Sequence, residues 1–504
     1  MPRPMSRREG DTKTGTRNRA PDECQQVDML RPADKTSAPV RPSEWPARYD
    51  SVARVHLNYL RRLPPPQSSR LRCLYSSILC VPACAEPRFG KDPMTFRVYD
   101  AGTDRAAVQR IWREVGWIEN ETHEKGMDVF LQSGRTLVAD VNGAAECMVS
   151  THCATLRYLE ESLPVSGITG VTTSRIARKQ GIASRLTARA LADEASAGAA
   201  AALLGVFEQG FYNQLGFGNG AYEVWCTIDP AQLLVPTNAR PPIRLTVDDG
   251  PDIHAARVAR LQQHGAVSFQ SPDTTVAEIL WSDGGFGLGY RDESGRLTHH
   301  VWFSATKGEN GPYRVGWLCY QTREQFIELL ALLRNLGDQV HWVRLHEPPQ
   351  VQLQDFLRQP FRSRALTETS KHELRFAASA YWQVRVLDVN ACLAATHLDG
   401  GPLAFRLELN DPIGDYLPDG TAWRGVSGAY DVTFGPTCRA ERATSDRSHL
   451  PVLRASVNAF SRLWLGIRSA TSLSWSDDLS APSDLLTRLD RLLRLPHPTI
   501  DWDF

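Results

Sequence analysis

In the stretch Gly170-Val171-Thr172-Thr173-Ser174-Arg175-Ile176-Ala177-Arg178-Lys179-Gln180-Gly181-Ile182-Ala183-Ser184, a strand-like run ends near Thr173. A short loop then carries Arg178 and Lys179, and Gly181 opens a helix. Backbone N–H groups at a helix N-terminus, backed by the helix dipole, bind a pyrophosphate, and small residues at Gly181 and Ala183 let phosphate oxygens come close. The loop reads as a phosphate cradle, with a glycine-bearing turn and a basic solvated rim as the plain alternative. It has neither the Lys-Ser/Thr ending of a nucleotide P-loop nor the Gly-x-Gly-x-x-Gly of a dinucleotide fold.

Roughly 30 residues downstream comes Phe207-Glu208-Gln209-Gly210-Phe211-Tyr212-Asn213-Gln214-Leu215-Gly216-Phe217. An Arg-x-x-Gly-x-Ala loop followed by Phe-Tyr-x-x-x-Gly-Phe resembles the GNAT acetyltransferases. The resemblance implies acetyl-CoA as co-substrate. Val171, Thr172 and Thr173 would hydrogen-bond its pantetheine arm. Arg178, Lys179, Gln180, Gly181, Ile182, Ala183 and Ser184 would surround its pyrophosphate, with Phe207 and Glu208 beside it. Tyr212 would be the general acid for the departing thiolate. A phenol of pKa about 10 stays protonated at neutral pH and can give a proton as charge develops on sulfur. The bland reading of Tyr212 is a core aromatic.

Beyond these motifs, the body of the chain resembles the enhanced intracellular survival (Eis) acetyltransferases. The implied fold is α/β (α+β): two tandem GNAT-like domains followed by a sterol-carrier-protein-like α+β domain. The expected divisions are 94–232 for the catalytic GNAT domain, 243–380 for a second, non-catalytic copy, and 381–504 for the sterol-carrier-like scaffold. The middle segment has no Arg-x-x-Gly-x-Ala loop and is expected not to bind acetyl-CoA. The chain ends Asp501-Trp502-Asp503-Phe504, matching the family's acidic-then-Phe ending. The resemblance makes the α-carboxylate of Phe504 the base for the incoming amine.

The resemblance also implies a homohexamer and a cationic amine acceptor: an aminoglycoside, a polyamine or a lysine side chain. Acidic candidates for the acceptor pocket are Glu114, Glu119 and Asp503. Two departures stand out: Phe207 occupies a position that is commonly Ser, and the loop reads Arg178-Lys179-Gln180 where three basic residues are common. The competing class is a catalytically silent GNAT platform with a lipid-carrier-like domain, a binding or scaffold protein.

Around the motifs, Phe96 to Tyr99 alternates, Asp104 to Val115 has helical spacing, and Arg135–Asp140 with Ala145–Thr151 reads as a hairpin about Asn142-Gly143. Ile168–Thr173 and Ala201–Phe207 read as strands around the helix Ile182–Ala195, and Leu233–Pro242 as a linker. Later come a helix over Gln325–Leu336, strands at Ala404–Leu409 and Ala429–Phe434, and helices over Leu450–Leu465 and Leu485–Leu495. Gly285-Phe-Gly-Leu-Gly289 reads as a hairpin turn. His299-His300 and His341…His346 lack zinc spacing and read as surface or strand histidines.

The chain has 504 residues, 42% of them apolar, which suits about three domains and excludes a collagen-like or disulfide mini-protein. No apolar run reaches the roughly 18 residues of a membrane helix, so no membrane partner is expected. The zero net charge divides into +7 before Met94 (17 Lys+Arg, 10 Asp+Glu) and −7 after it. An acidic body argues against nucleic acid, which needs clustered positive charge. Residues 1–93 hold 13 of the 32 prolines and read as a disordered basic extension, with translation expected to start at Met94. Ten scattered cysteines read as reduced, mostly buried thiols in the cytoplasm, with Cys147 and Cys153 in the core.

Overall fold

The structure, a computed structural model, describes residues 94–206, 208–305, 311–360, 375–443 and 449–502. The expected extension 1–93 and the residues Phe207, Asp503 and Phe504 lie outside them. The described chain opens with β1 (Thr95–Val98), α1 (Ala101–Val115), α2 (Glu121–Gln132), β2 (Arg135–Val141), β3 (Ala144–Tyr158), β4 (Glu161–Thr173), α3 (Ile182–Ser196), β5 (Ala201–Gly205) and β6 (Gly218–Asn219).

Local chemistry sets these boundaries. Asp100 caps α1 by accepting from the Gly102 and Thr103 N–H groups at 2.7 and 3.2 Å, and the left-handed Gly116 ends it. Val108, Ile111 and Trp112 form its buried face. Asn142 and Gly143, both at positive φ, turn β2 into β3 as the sequence predicts.

Three sheets follow, and their membership crosses the expected divisions of the chain. The first runs β1-β2-β3-β4-β5, then strand Trp382–Val386, then β6. Trp382–Val386 pairs antiparallel with β5, so a strand expected in the third segment is part of the first sheet. Strand Val267–Phe269 of the middle segment pairs with β3. The second sheet takes strand Glu223–Ile228, expected in the first segment, between Arg375–Ser379 and Val343–His346. The third holds five strands, with Leu403–Asn410 parallel to Val452–Ser456.

The first two sheets share one device, a single parallel pair joined across a helix. In the first it is β4-α3-β5; in the second it is Tyr313–Cys319, helix Arg323–Asn335 and Val343–His346. One continuous core joins the far end of the first sheet to the third segment. Tyr158 stacks on Trp464 at 4.9 Å and donates to its carbonyl at 2.9 Å.

Three local expectations are corrected. Leu450–Leu465 divides into strand Val452–Ser456 and helix Val457–Trp464, where Ser456 caps the helix through the Ala459 N–H. Gly285–Gly289 is no turn but the start of strand Phe286–Arg291. A Cβ on Gly287 would come within 2.8 Å of Leu245 and Trp302, so the glycines there allow close packing. Cys147 is buried, but Cys153 is exposed on β3.

Burial holds His152, His254 and His264 down to about 4, and His300 to about 3. A histidine with depressed folded pKa binds fewer protons folded than unfolded. Its contribution is complete above the unfolded value near 6.5 and is lost as pH falls toward the folded value. The melting temperature should therefore drop steeply between pH 6.5 and 4.5, before ordinary carboxylates titrate; a flat profile there would show these histidines are not buried as neutral groups.

Candidate active site

The parallel pairing of β4 with β5 runs from Val165↔Ala201 to Ile168↔Leu204. Just beyond, β4 bulges against β3. Ser150 pairs with Thr169 and Met148 with Thr172, so Gly170 and Val171 together oppose Val149. Gly170 has φ 59°, a left-handed conformation suited to glycine. Its vacant Cβ direction is bounded by Met148 Cε at 3.2 Å and by Ser150 Cβ and Trp112 Cζ2 at 3.6 Å. On its other side β5 is occupied by Trp382–Val386, and the Val206 N–H donates to the Tyr381 carbonyl at 2.7 Å. The parallel ladder with β5 ends before this bulge, and β4 runs on past it through Val171, Thr172 and Thr173.

β4 ends at Thr173 and leads into the 174–181 loop. Two contacts fix its start: the Ser174 N–H donates to the Glu146 carbonyl at 2.8 Å, and the Arg175 N–H to Glu114 Oε2 at 2.7 Å. Lys179 at φ 61° and Gly181 at φ 71° turn the chain into α3. Among the described residues no side chain caps α3, and its first turn holds no acidic residue. The N–H groups of Ile182, Ala183 and Ser184 therefore face an open, positive helix end. Arg178, Lys179, Gln180 and Gly181 are exposed around it, and nothing lies within 4 Å of a Cβ built on Gly181. This donor set fits a pyrophosphate.

The matching helix of the second sheet ends differently. Thr322 caps Arg323–Asn335 by accepting from the Gln325 N–H at 3.3 Å, and Glu324 sits in its first turn. That helix start already has its own acceptor and negative charge.

Tyr212 is buried, packed in the same core as Leu186, Leu215 and Phe217, with Phe211 edge-on at 4.8 Å. Burial raises its phenol well above the ordinary value, with Cys147 and Glu208 adding in the same direction. The hydroxyl is protonated throughout the physiological range. Burial likewise pushes the Cys147 thiol up to about 12, and Thr173 Oγ1 donates to its sulfur at 3.3 Å. A core aromatic and a protonated acid are therefore one and the same residue here.

The remaining expected residues separate. Glu208 is exposed. Glu114 is engaged by the loop backbone and by Arg110 at 3.4 Å, so it holds the loop. Glu119 is exposed, and its N–H donates to His123 Nδ1 at 3.3 Å.

Other groups at the site carry no local motif. An aromatic cluster of Trp112, Phe130 and Trp281 adjoins Gly170, with Trp112–Trp281 centroids at 5.8 Å and Phe130–Trp281 at 5.2 Å. Gly126 on α2 lets Trp281 approach, and the indole N–H donates to the His123 carbonyl at 3.1 Å. His152 lies against Phe130 at 4.3 Å. Its ring nitrogens meet Ser133 Oγ at 3.2 Å and Ser150 Oγ at 3.1 Å.

The described end of the chain reaches this side too. Asp501 pairs with the buried Arg260, and Trp502 donates to Glu278 Oε1 at 2.9 Å. Trp502 lies under the Arg257 guanidinium at 3.8 Å and beside Phe269 at 5.8 Å, which in turn lies 6.1 Å from His152.

Residues 102–220 match the Acetyltransferase (GNAT) domain family. An uncharacterized N-acetyltransferase of Streptomyces avermitilis is 28% identical over 371 residues, 68% of this chain and 82% of that protein. A probable N-acyltransferase of Enterococcus faecalis V583 superposes with TM-score 0.67 at 16% identity, over 82% of this chain and all of that one. Eis1 from Mycobacterium abscessus does so with TM-score 0.62 at 18% identity and the same coverage. At those identities the solved structures speak to the fold, and the family match speaks to residues 102–220. The protein is thus an acyltransferase that carries a GNAT acetyltransferase domain within an Eis-like fold.

Proposed function

We propose that the protein is an acetyl-CoA-dependent N-acetyltransferase that moves the acetyl group directly to a primary amine of a cationic acceptor in a ternary complex. One observation carries this reading: past the bulge at Gly170, β4 runs beyond its parallel ladder with β5 and leads to a helix N-terminus that no described side chain caps. A long arm ending in a pyrophosphate fits that shape and charge.

The amine attacks the thioester carbonyl, the C–S bond breaks, and the Tyr212 hydroxyl gives its proton to the thiolate. Val171, Thr172 and Thr173 hold the arm, Arg178 to Ser184 hold the phosphates, and Phe207 and Glu208 lie beside the cofactor. The α-carboxylate of Phe504 takes the amine proton. The anchoring of Asp501 on Arg260 and of Trp502 beside Phe269 supports this role. Trp112, Phe130 and Trp281 suit a cation, since aromatic faces attract positive charge. Glu119 and Asp503 would add negative charge. Aminoglycosides, polyamines and lysine side chains all meet these requirements.

The self-capped helix at Thr322 supports a second domain that does not bind acetyl-CoA. In the same reading, residues 381–504 are a sterol-carrier-like scaffold, and the protein works in the cytoplasm as a homohexamer.

Tyr212→Phe should lower kcat about a hundredfold or more, with the KM for acetyl-CoA within about twofold. Residues added after Phe504 should do the same. Unchanged kcat in either case removes that group from the chemistry. Arg178→Ala with Lys179→Ala should instead raise the KM for acetyl-CoA several-fold, more so at low salt, with kcat preserved. Protein that binds acetyl-CoA but releases no thiol with any amine class would favour the silent scaffold.

A further inference from the structure

Tyr212 opens a short turn, Asn213–Leu215, that comes back through Gly216 to Phe217. Within it, the Phe217 N–H donates to the Tyr212 carbonyl at 3.2 Å, and Asn213 Nδ2 donates to the Phe217 carbonyl at 3.0 Å. Three side chains from far along the chain close on this turn.

Asn458, in the first turn of helix Val457–Trp464, donates from Nδ2 to the carbonyls of both Asn213 and Phe217, each at 2.8 Å. Gln383 donates to Asn213 Oδ1 at 3.2 Å and to Asn219 Oδ1 at 2.6 Å. Arg385 donates to the Leu215 carbonyl and to Asp411 Oδ2, and the Arg385 and Asp411 side chains are completely buried. Asp411 is fixed in turn by the Val426 N–H at 2.8 Å and the Ile413 N–H at 3.1 Å. The fit has no slack, since a Cβ on Gly216 would run into the Arg385 guanidinium and, at 2.7 Å, into Val457.

We infer that Asn458, Gln383 and Arg385 are positioning residues for catalysis, clasping the turn so that the Tyr212 hydroxyl is aimed at the leaving sulfur. This rests on the reading of Tyr212 as the acid. The 212–217 turn has only one short intrinsic helix to define it, and Tyr212 is its first residue. Its orientation is set by which carbonyls are held from outside. Asn458 bridges the two ends of the turn with one amide group, which makes it the most direct lever. On this inference Asn458, Gln383 and Arg385 take part in the chemistry without touching substrate.

The test is a double-mutant cycle on full-length protein, read as CoA-thiol release with saturating amine. Asn458→Ala should lower kcat about tenfold, because small misplacements of a reacting group are costly. The KM for acetyl-CoA should stay within about twofold. In a Tyr212→Phe background, Asn458→Ala should change kcat by less than about twofold, since the group it aims is gone. Gln383→Ala, run through the same cycle, should repeat the pattern more weakly and serves if Asn458→Ala lowers expression.

The inference is overturned if Asn458→Ala and Gln383→Ala leave kcat unchanged while Tyr212→Phe lowers it. It is equally overturned if each lowers kcat by the same factor in both backgrounds. If Tyr212→Phe itself leaves kcat unchanged, the reading of Tyr212 fails first and the inference falls with it.

Discussion

Two residues of β4, Gly170 and Val171, face one residue of β3, just where the parallel ladder with β5 has ended, and the geometry of the candidate site depends on that irregularity. A sheet satisfies its backbone groups by pairing every strand, so parallel strands part only where something bends one of them. Glycine at positive φ supplies the bend. The aromatic and thioether side chains of Trp112 and Met148 border the space that a larger residue at 170 would enter. Past the bulge, β4 runs straight into the 174–181 loop and the bare start of α3. One backbone irregularity thereby lines up a strand wall, a basic loop and a positive helix end.

The two copies of the β-α-β device differ in how their helices begin. Both sheets carry a parallel pair with a helix across it. In the first, the helix starts at a left-handed glycine with no acid and no cap; in the second, Thr322 and Glu324 occupy the same donors that a phosphate would need. The third segment contributes in another way. Its strand Trp382–Val386 fills the open edge of β5, and its side chains grip the Tyr212 turn from behind. The three parts of the chain are consequently not beads on a string, and the first sheet is completed only by residues from the other two.

What was legible in the sequence was local. The loop and helix start at 174–184 and the Asn142-Gly143 hairpin each rest on residues close in sequence whose φ preferences and capping chemistry act over a few positions. What was not legible was pairing at a distance. Nothing in Trp382–Val386 announces β5 as its neighbour, and nothing in Val267–Phe269 announces β3. The aromatic cluster draws Trp281 from the middle segment onto Phe130, enabled by a glycine at 126 whose role appears only once the partner is in place. Gly285–Gly289 misleads for the same reason: its glycines answer to the close approach of Trp302 and Leu245, not to a turn. Leu450–Leu465 misleads because apolar spacing there suits both a strand and a helix, and Ser456 marks the change as a cap.

Amide hydrogen exchange on the full chain with and without acetyl-CoA tests the central claim most directly, since it reads the end of β4 and the helix end separately. The account predicts slowed exchange at 169–173 and 182–184, with the helix start at 323–325 unchanged. Protection that misses 169–173 and 182–184, in protein whose melting temperature acetyl-CoA raises, would contradict it, because the ligand would then be bound somewhere other than the end of β4 and the start of α3.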